Sequence, residues 1–471
     1  MTRDAAVERA LEYFDDGRYM DDFAHRVATP TESQDPERLP NLYRYLTDEM
    51  QAFEAVGYSC RIYNNALKGQ CPALLATRHE GDGLPTVLGY GHGDVIRGYE
   101  EQWYNGLSPW RIEDRRDKVY GRGTADNKGR HCLHMAALAC VLEERGELVF
   151  NHKFMIETGE ENGSAGVRDI VDADKTGSAA DFYLASDGPR IDASKAKVNC
   201  GNQGAVNFDL VCELREGDHH SGNWGGLLAN LGIILSHAIA HIVSERGQIL
   251  VMDLLPPPIP NSIRVALSDV AREGGPDAPE VQEWRGEWGL ISSEKVFGWN
   301  TSEVLAFKVG NQENPVNAVP PRAWAHCQIL FVVNSKWEEF QDIIQKHLNE
   351  DGFDMVTVQD APEANAGGFK ASRTDPDHPW PSYVAESVTR TTGEKTVKLP
   401  NSGGSICNYI FQDTLGLPLC WIPHPYVSCS QHAPNEHILK SVTREGIAIM
   451  AGVYWDMRDP ATPMPKPGSG R

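Results

Sequence analysis

Short apolar runs, each followed by a polar loop and a helix-forming segment, constrain the fold of this chain most strongly. The runs cover residues 86–90, 153–156 and 181–185, and an alanine-rich helix is predicted over 129–144. Strands, loops and helices that alternate in this way are typical of an α/β fold, a mainly parallel sheet with helices on both faces. Such sheets bind ligands beyond the carboxyl ends of their strands. We therefore expect a functional site at that edge.

The chain is long enough for more than one domain, since 471 residues exceed what a single core normally serves. Near residue 197 the pattern changes to a strand, helix, strand, strand, helix order, which indicates a separate α+β module. The sequence therefore predicts a catalytic domain in two parts, 1–196 and 364–471, with an inserted α+β domain at 197–363 between them.

Composition limits the classes of partner. Lys and Arg number 44 against 66 Asp and Glu, and the net charge of −22 argues against binding to nucleic acid or to an anionic membrane. No run of about 18 apolar residues is present, and the 10 cysteines lack paired spacing. These features predict a soluble, cytoplasmic protein with reduced thiols, whereas the net charge says little about a small-molecule substrate.

Histidine and carboxylate side chains recur in short segments, several of which directly follow a predicted strand. The segments are Gly91-His92-Gly93-Asp94, Gly121-Arg122-Gly123-Thr124-Ala125-Asp126-Asn127-Lys128-Gly129, Gly159-Glu160-Glu161-Asn162-Gly163-Ser164, Ser186-Asp187-Gly188 and His432-Ala433-Pro434-Asn435-Glu436. Imidazole and oxygen ligands suit zinc, manganese or cobalt. Together the segments predict a pair of metal ions.

Each of these residues also has a simpler interpretation. His92 and Asp94 could cap a turn, and Asp126 could cap the helix that follows it. Glu160 and Glu161 could belong to a solvated acidic loop, yet adjacent carboxylates are unfavourable unless a cation or a proton relieves their repulsion. One of the two could bind metal while the other takes a proton from water.

In this order, and with His220-Ser221-Gly222 between the fourth and fifth segments, the motifs resemble those of a known family over most of the chain. It is the two-metal peptidase and amidohydrolase family that includes aminoacylases, glutamate carboxypeptidases, carnosinase-type dipeptidases and succinyl-diaminopimelate desuccinylase. The resemblance implies that His92 and Asp187 bind one ion, Glu161 and His432 bind the other, and Asp126 bridges them. Zn²⁺ is the expected metal, with Mn²⁺ or Co²⁺ as alternatives.

The resemblance also implies a mechanism. Asp94 would orient His92, and Glu160 would be the general base for a metal-bound water that attacks an amide or peptide bond. The substrate would be a small molecule such as a dipeptide or an N-acyl amino acid. The family further holds the peptide bond after its bridging aspartate in cis, which here is the bond between Asp126 and Asn127.

For the inserted module, the resemblance implies a lid that closes over the site and forms a homodimer contact. His220 would then reach the active site of a second subunit and hold the oxyanion, although an ordinary loop histidine is the simpler interpretation. Asn317 in the lid is expected to contact substrate. The turn formed by Gly403, Gly404 and Ser405 is expected to do so as well.

The chain departs from the family pattern where peptidases carry arginines for a substrate carboxylate. The corresponding positions fall near Leu330 and at Asn401 or Ser402, and none is basic. Neutral side chains do not reproduce the bidentate grip of arginine on a carboxylate, although Arg322 lies nearby in sequence. Two alternatives therefore stay open: hydrolysis of an unusual amide or amine that lacks the carboxylate, and a non-catalytic metal-binding protein. The intact Glu160 argues against the latter.

Overall fold

The computed structural model describes residues 1–65, 71–270, 280–361, 369–404, 406–457 and 465. Its contacts divide the chain into two compact units. The first unit contains Met1–Gly201, Ser268–Ala278 and Arg373–Arg471, and the second contains Asn202–Leu267 and Pro279–Ser372. The domain limits expected at 197 and 363 stay predictions about how the chain folds.

The helices and strands are numbered here in chain order. The helices are α1 Arg3–Asp15, α2 Arg18–Val27, α3 Leu39–Ala55, α4 Lys128–Arg145, α5 Val167–Ala173, α6 Lys175–Ser178, α7 Ser221–Trp224, α8 Leu231–Ile242, α9 Asn261–Ser268, α10 Ser292–Phe297, α11 Phe340–Glu350, α12 Pro379–Thr392, α13 Asn408–Leu415 and α14 Lys440–Asp456. The strands are β1 Ser59–Tyr63, β2 Ala73–Arg78, β3 Thr86–His92, β4 Glu113–Arg115, β5 Lys118–Tyr120, β6 Asn151–Glu157, β7 Phe182–Ala185, β8 Lys197–Asn199, β9 Gly201–Asn202, β10 Gly204–Glu213, β11 His219–His220, β12 Thr301–Val309, β13 Ala318–Val319, β14 Arg322–Phe331, β15 Val356–Asp360, β16 Ser372–Arg373, β17 Val397–Leu399, β18 Leu419–Trp421 and β19 His437–Leu439.

The first unit is built on an eight-stranded sheet in the order β1-β2-β6-β3-β7-β18-β8-β17. The pairs β6/β3, β3/β7, β7/β18 and β8/β17 are parallel, whereas β1/β2 and β2/β6 are antiparallel. The strands expected at 86–90, 153–156 and 181–185 are β3, β6 and β7, and the alanine-rich helix is α4. The predicted α/β fold class with a mainly parallel sheet is confirmed.

Helices cover this sheet and complete its core, which includes the apolar faces of α4, α12 and α14. Small residues allow close packing: a side chain at Gly446 of α14 would lie 2.7 Å from Leu133 of α4. Trp380 at the start of α12 stacks on Phe182 of β7, with ring centroids 4.5 Å apart. Packing of this density holds the strand ends in place and so positions the loops that follow them.

The second unit is a four-stranded antiparallel sheet in the order β12-β14-β10-β15. Helices α8 and α11 contribute Leu235 and Ile344 to its own core. A short ribbon pairs β11 with β13. This is the α+β module expected from the sequence. No helix in the described ranges of either unit is long and apolar enough to cross a membrane.

Candidate metal centre

Three neighbouring parallel strands of the first unit bring their carboxyl ends to one edge. His92 is the last residue of β3, Asp187 lies two residues beyond the end of β7, and Glu160 and Glu161 follow β6 in a short 3₁₀ turn. Because β6, β3 and β7 are adjacent and parallel, residues that follow these strands lie close together. The residues predicted for the site therefore lie at this edge of the sheet.

Asp126 lies between two histidines that are far apart in sequence. Its Oδ1 is 3.2 Å from Nε2 of His92, and its Oδ2 is 3.3 Å from Nε2 of His432. His432 Nε2 is also 3.1 Å from Oε2 of Glu161. The peptide bond between Asp126 and Asn127 is cis, as the resemblance implied. One carboxylate thus offers an oxygen towards each histidine, which is the arrangement a bridging ligand needs.

The donor atoms form three overlapping clusters, one of which contains His92, Glu160 and Glu161. The other two share Asp126. One contains His92, Asp126 and Asp187, and the other contains Asp126, Glu161 and His432; the donor atoms of each cluster lie within 4.8 Å of one another. Imidazole nitrogen and carboxylate oxygen are the donors that Zn²⁺, Mn²⁺ and Co²⁺ accept in proteins. The residues present therefore fit a pair of divalent ions.

The electrostatics of the centre agree with this fit. Burial and nearby carboxylates raise the pKa of Glu160 well above its usual range, although His92 opposes the shift. Burial also raises the pKa of Glu161 to about 7. Hydrogen bonds to Asp126 and Glu161 raise the pKa of His432 to about 11. Carboxylates this close repel one another, and bound divalent cations would relieve that repulsion.

Asp94 supports both the histidine and the glutamate turn. It is fully buried, and its Oδ1 lies 3.3 Å from Nδ1 of His92. Its carboxylate also accepts hydrogen bonds from the backbone nitrogens of Glu160, at 3.2 Å, and Glu161, at 3.1 Å. Sequence reasoning assigned Asp94 only the orientation of His92. The second contact was missed, because backbone donors leave no trace in side-chain spacing.

Glu436 holds the loop that carries Asp126. Its Oε1 accepts the backbone N–H groups of Ala125, at 2.8 Å, and Asp126, at 3.0 Å. Its Oε2 accepts the N–H of Gly123 at 3.1 Å and a guanidinium N–H of Arg122 at 2.7 Å. The side chain is fully buried. The sequence identified Glu436 only as the end of a motif, and its position four residues after His432 was the one available signal.

Comparison with known families decides the class of protein. The family model for "Peptidase family M20/M25/M40" matches residues 88–456, which include the metal-centre residues described above. The chain belongs to this family. The predicted class of enzyme, a metal-dependent peptidase, is thereby confirmed at the level of the family, and so is the resemblance found in the motifs.

Individual relatives of this M20 peptidase include dipeptidases. The Beta-Ala-His dipeptidase of Rattus norvegicus is 31% identical over 183 residues, which cover 38% of this chain and only 37% of the relative. That of Homo sapiens is 24% identical over 419 residues, which cover 82% of this chain and 77% of the relative. An M20 family metallo-carboxypeptidase from Sulfolobus solfataricus has the same fold, with a TM-score of 0.75, 21% identity and coverage of 93% of this chain and 98% of that one.

A cavity of about 300 Å³ in the first unit opens onto the centre. Its described lining residues are Asp126, Glu160, Asp187, Gly188, Pro189, Ser402, Gly404, Ile406, Trp421, Gln431 and His432. Gly404 is thus near the centre, as expected for a substrate contact, whereas Gly403 does not line the cavity. Ser405 lies outside the described residues. None of the described lining residues is Lys or Arg, in keeping with the missing arginine at Asn401 and Ser402.

The site residues expected in the second unit lie next to each other. His220 in β11 is paired with Ala318 in β13, directly after Asn317, and the backbone carbonyl of Asn317 accepts a hydrogen bond from Ser221 N at 2.8 Å. Both side chains are exposed. Nδ1 of His220 accepts the N–H of Gly222 at 3.0 Å, which leaves Nε2 available to a ligand.

Proposed function

We propose that this M20 peptidase hydrolyses the peptide or amide bond of a small molecule, with dipeptides as the first class of substrate. The observation that carries the proposal is the position of Asp126, which directs one oxygen to His92 and the other to His432 beside Glu160. The activity of the Beta-Ala-His dipeptidases supports the choice of dipeptides.

The proposed metal ligands divide between two ions. His92 and Asp187 would hold one, Glu161 and His432 would hold the other, and Asp126 would be shared by both; Zn²⁺ is the proposed metal, with Mn²⁺ or Co²⁺ as alternatives. When bound, such ions supply Lewis acidity for the substrate carbonyl and lower the pKa of water to about 7. Asp94 keeps the imidazole of His92 oriented through Nδ1, so that Nε2 faces the centre.

Glu160 carries the proton. Its side chain lines the cavity, and its Oε2 lies 3.9 Å from Nε2 of His92. It takes a proton from the attacking water as the water oxygen bonds to the carbonyl carbon. It then returns that proton to the leaving nitrogen as the carbon–nitrogen bond breaks. The hydrogen bonds from Glu160 N and Glu161 N to Asp94 keep this turn in a fixed position.

We propose that the second unit contributes His220 and Asn317. The free Nε2 of His220 would donate a hydrogen bond to the oxyanion of the tetrahedral intermediate in the active site of a second subunit. Asn317 would contact the substrate, as would Gly403, Gly404 and Ser405 of the first unit. Both lid residues come from one ribbon, β11/β13, so that they would move together.

A homodimer through the second unit is part of the proposal. Strand β12 is at the edge of its sheet, and Val304, Leu305 and Phe307 on it are exposed, as is Ile233 on α8. An exposed apolar edge strand is a common site of pairing between chains.

Sedimentation of the wild type and of Leu305→Lys tests the proposed homodimer. We expect a dimer that the substitution weakens, and a monomeric wild type would contradict the proposal.

Metal-dependent hydrolysis of a dipeptide panel tests the function itself. We expect hydrolysis that a chelator abolishes and that Zn²⁺, Mn²⁺ or Co²⁺ restores. A folded protein that binds divalent ions but cleaves no member of the panel, blocked or free, would contradict hydrolysis and favour a binding role.

A second candidate is hydrolysis of an amide or amine without a free carboxylate. It is favoured by the absence of Lys and Arg among the described residues that line the cavity, because an arginine fork is the usual receptor for a carboxylate. The same panel with each carboxylate blocked as an amide separates the two candidates. A higher kcat/KM for the blocked compounds favours the second candidate, and a higher value for free dipeptides excludes it.

A further inference from the structure

The two halves of the metal centre differ in one buried charge. Arg130, in the first turn of α4, is 0% exposed, and its Nη1 donates a hydrogen bond to Oδ1 of Asp187. The same nitrogen is 3.8 Å from Oδ1 of Asp126. Among the ion pairs of the described residues, Glu161 in the other half pairs only with His432. A permanent cation therefore lies against one half of the centre.

Asp187 also accepts hydrogen bonds on both of its carboxylate oxygens. Its Oδ2 accepts a hydrogen bond from Nδ2 of Asn127 at 2.9 Å, and its Oδ1 accepts one from Gly188 N at 2.5 Å in addition to that from Arg130. Donors on both oxygens withdraw electron density that a metal ion would otherwise share.

We propose that Arg130 makes the two metal sites unequal in affinity. The site formed by Asp126, Glu161 and His432 holds its divalent ion tightly, whereas the site formed by His92, Asp126 and Asp187 holds its ion weakly and exchanges it. The reason is repulsion between the guanidinium and a divalent cation, which is strong where water is excluded. This inference rests on the ligand assignment of the proposed function.

A structural role for Arg130 leads to a different expectation. If its guanidinium only compensated the buried charge of Asp187, its removal would lower stability and weaken the nearby site, since Asp187 would lose its orientation. If it repels the metal, its removal strengthens that site. The sign of the change in affinity separates the two roles, and Arg130 is on either account a positioning residue.

Equilibrium binding of Mn²⁺ to the full chain, stripped of metal, tests the inference. Electron paramagnetic resonance counts free Mn²⁺ during the titration. For the wild type we expect two ions whose dissociation constants differ by at least about tenfold. In Arg130→Met, the weaker ion should bind at least about tenfold more tightly and the tighter one should change less than about threefold. Arg130→Lys keeps the positive charge and should keep most of the difference.

A matched control and a site assignment complete the test. Arg26 is another buried arginine of the first unit, paired with Glu49 away from the centre, and Arg26→Met should titrate like the wild type. His92→Ala should remove the weaker ion and His432→Ala the tighter one, an assignment that does not depend on whether Arg130→Met folds.

Several outcomes would overturn the inference. They are equal affinities in the wild type, the reverse assignment in the histidine variants, and an unchanged or weaker second ion in a folded Arg130→Met protein. Each of these leaves metal-dependent hydrolysis intact. A wild-type chain that binds no Mn²⁺ would overturn the proposed function as well, so that the two failures are distinguishable.

Discussion

The two units of this peptidase differ in the burial of most of their proposed site residues. In the first unit His92 is 1% exposed and Asp94 is 0% exposed, and the loops that carry Asp126 and Glu160 are held by buried carboxylates; the side chain of His432 is the exception, at 58% exposed. In the second unit His220 and Asn317 are exposed on a two-residue ribbon. From this difference we expect substitutions at the buried carboxylates to lower stability, whereas a substitution at His220 should change activity alone.

The largest effect should come from the first unit. Glu160→Gln removes the proposed proton carrier without changing its size, and we expect kcat/KM to fall by about 10³-fold while the metal content stays at the wild-type level. Enzyme kinetics and elemental analysis measure the two quantities. Glu161→Gln, a change at the neighbouring proposed ligand, should instead lower the metal content. Full activity in Glu160→Gln would remove this residue from the mechanism.

The contrast in burial is sharpened by Glu436. Glu436→Ala leaves Arg122 buried without its carboxylate partner and leaves three backbone N–H groups without their acceptor. We therefore expect the free energy of unfolding to fall by about 3–5 kcal/mol. Urea denaturation measures it. The exposed ion pair of Asp15 and Arg444 provides the control, since Asp15→Ala should cost less than about 1 kcal/mol. Equal costs for the two variants would contradict the role of Glu436.

In the second unit we expect a change in activity without a change in stability. His220→Ala should lower kcat/KM by about 10²-fold, as loss of an oxyanion donor does, with the free energy of unfolding unchanged within about 0.5 kcal/mol. The adjacent His219→Ala is the matched control and should keep wild-type activity. If both variants lose activity equally, the ribbon matters as a whole and the specific role of His220 is wrong.

The smallest expected effect is on the pH dependence of stability, and it comes from two buried histidines, His134 and His152. Burial lowers the pKa of His134 to about 3, and its Nδ1 lies 2.7 Å from the hydroxyl of Tyr454. Below about pH 6.5 the imidazole of His134 is protonated in the unfolded chain but stays neutral in the folded protein. The free energy of unfolding therefore falls as pH decreases from about 6.5 towards 3. His152, with its pKa also lowered to about 3 by burial, acts in the same direction.

His134→Gln should reduce this acid sensitivity. Between pH 6.5 and 5.5 we expect the wild type to lose about 1 kcal/mol more free energy of unfolding than the variant. Urea denaturation at the two pH values measures the difference. Identical losses in both proteins would show that His134 is protonated in the folded state and would contradict its depressed pKa.

The sequence by itself determined the strands β3, β6 and β7, the helix α4 and the residues that converge on the centre. This was possible because side-chain periodicity is local, and because imidazoles and carboxylates after strand ends have few other uses in such number. The cis bond and the lid came from family resemblance and not from periodicity. What the resemblance implied for individual roles at the site stays a set of predictions.

Only the tertiary structure decided which polar groups support the ligands. Glu436 reaches the loop of Gly123 and Asp126 because β19, which follows Glu436, pairs with β5, which precedes that loop. Arg130 of α4 reaches Asp187 beyond the end of β7, although 57 positions separate the two residues. Such contacts depend on the distance between residues in the folded sheet, which side-chain spacing along the sequence does not encode. Because these charged groups are buried, little water screens them, and their electrostatic interactions with neighbouring groups are strong.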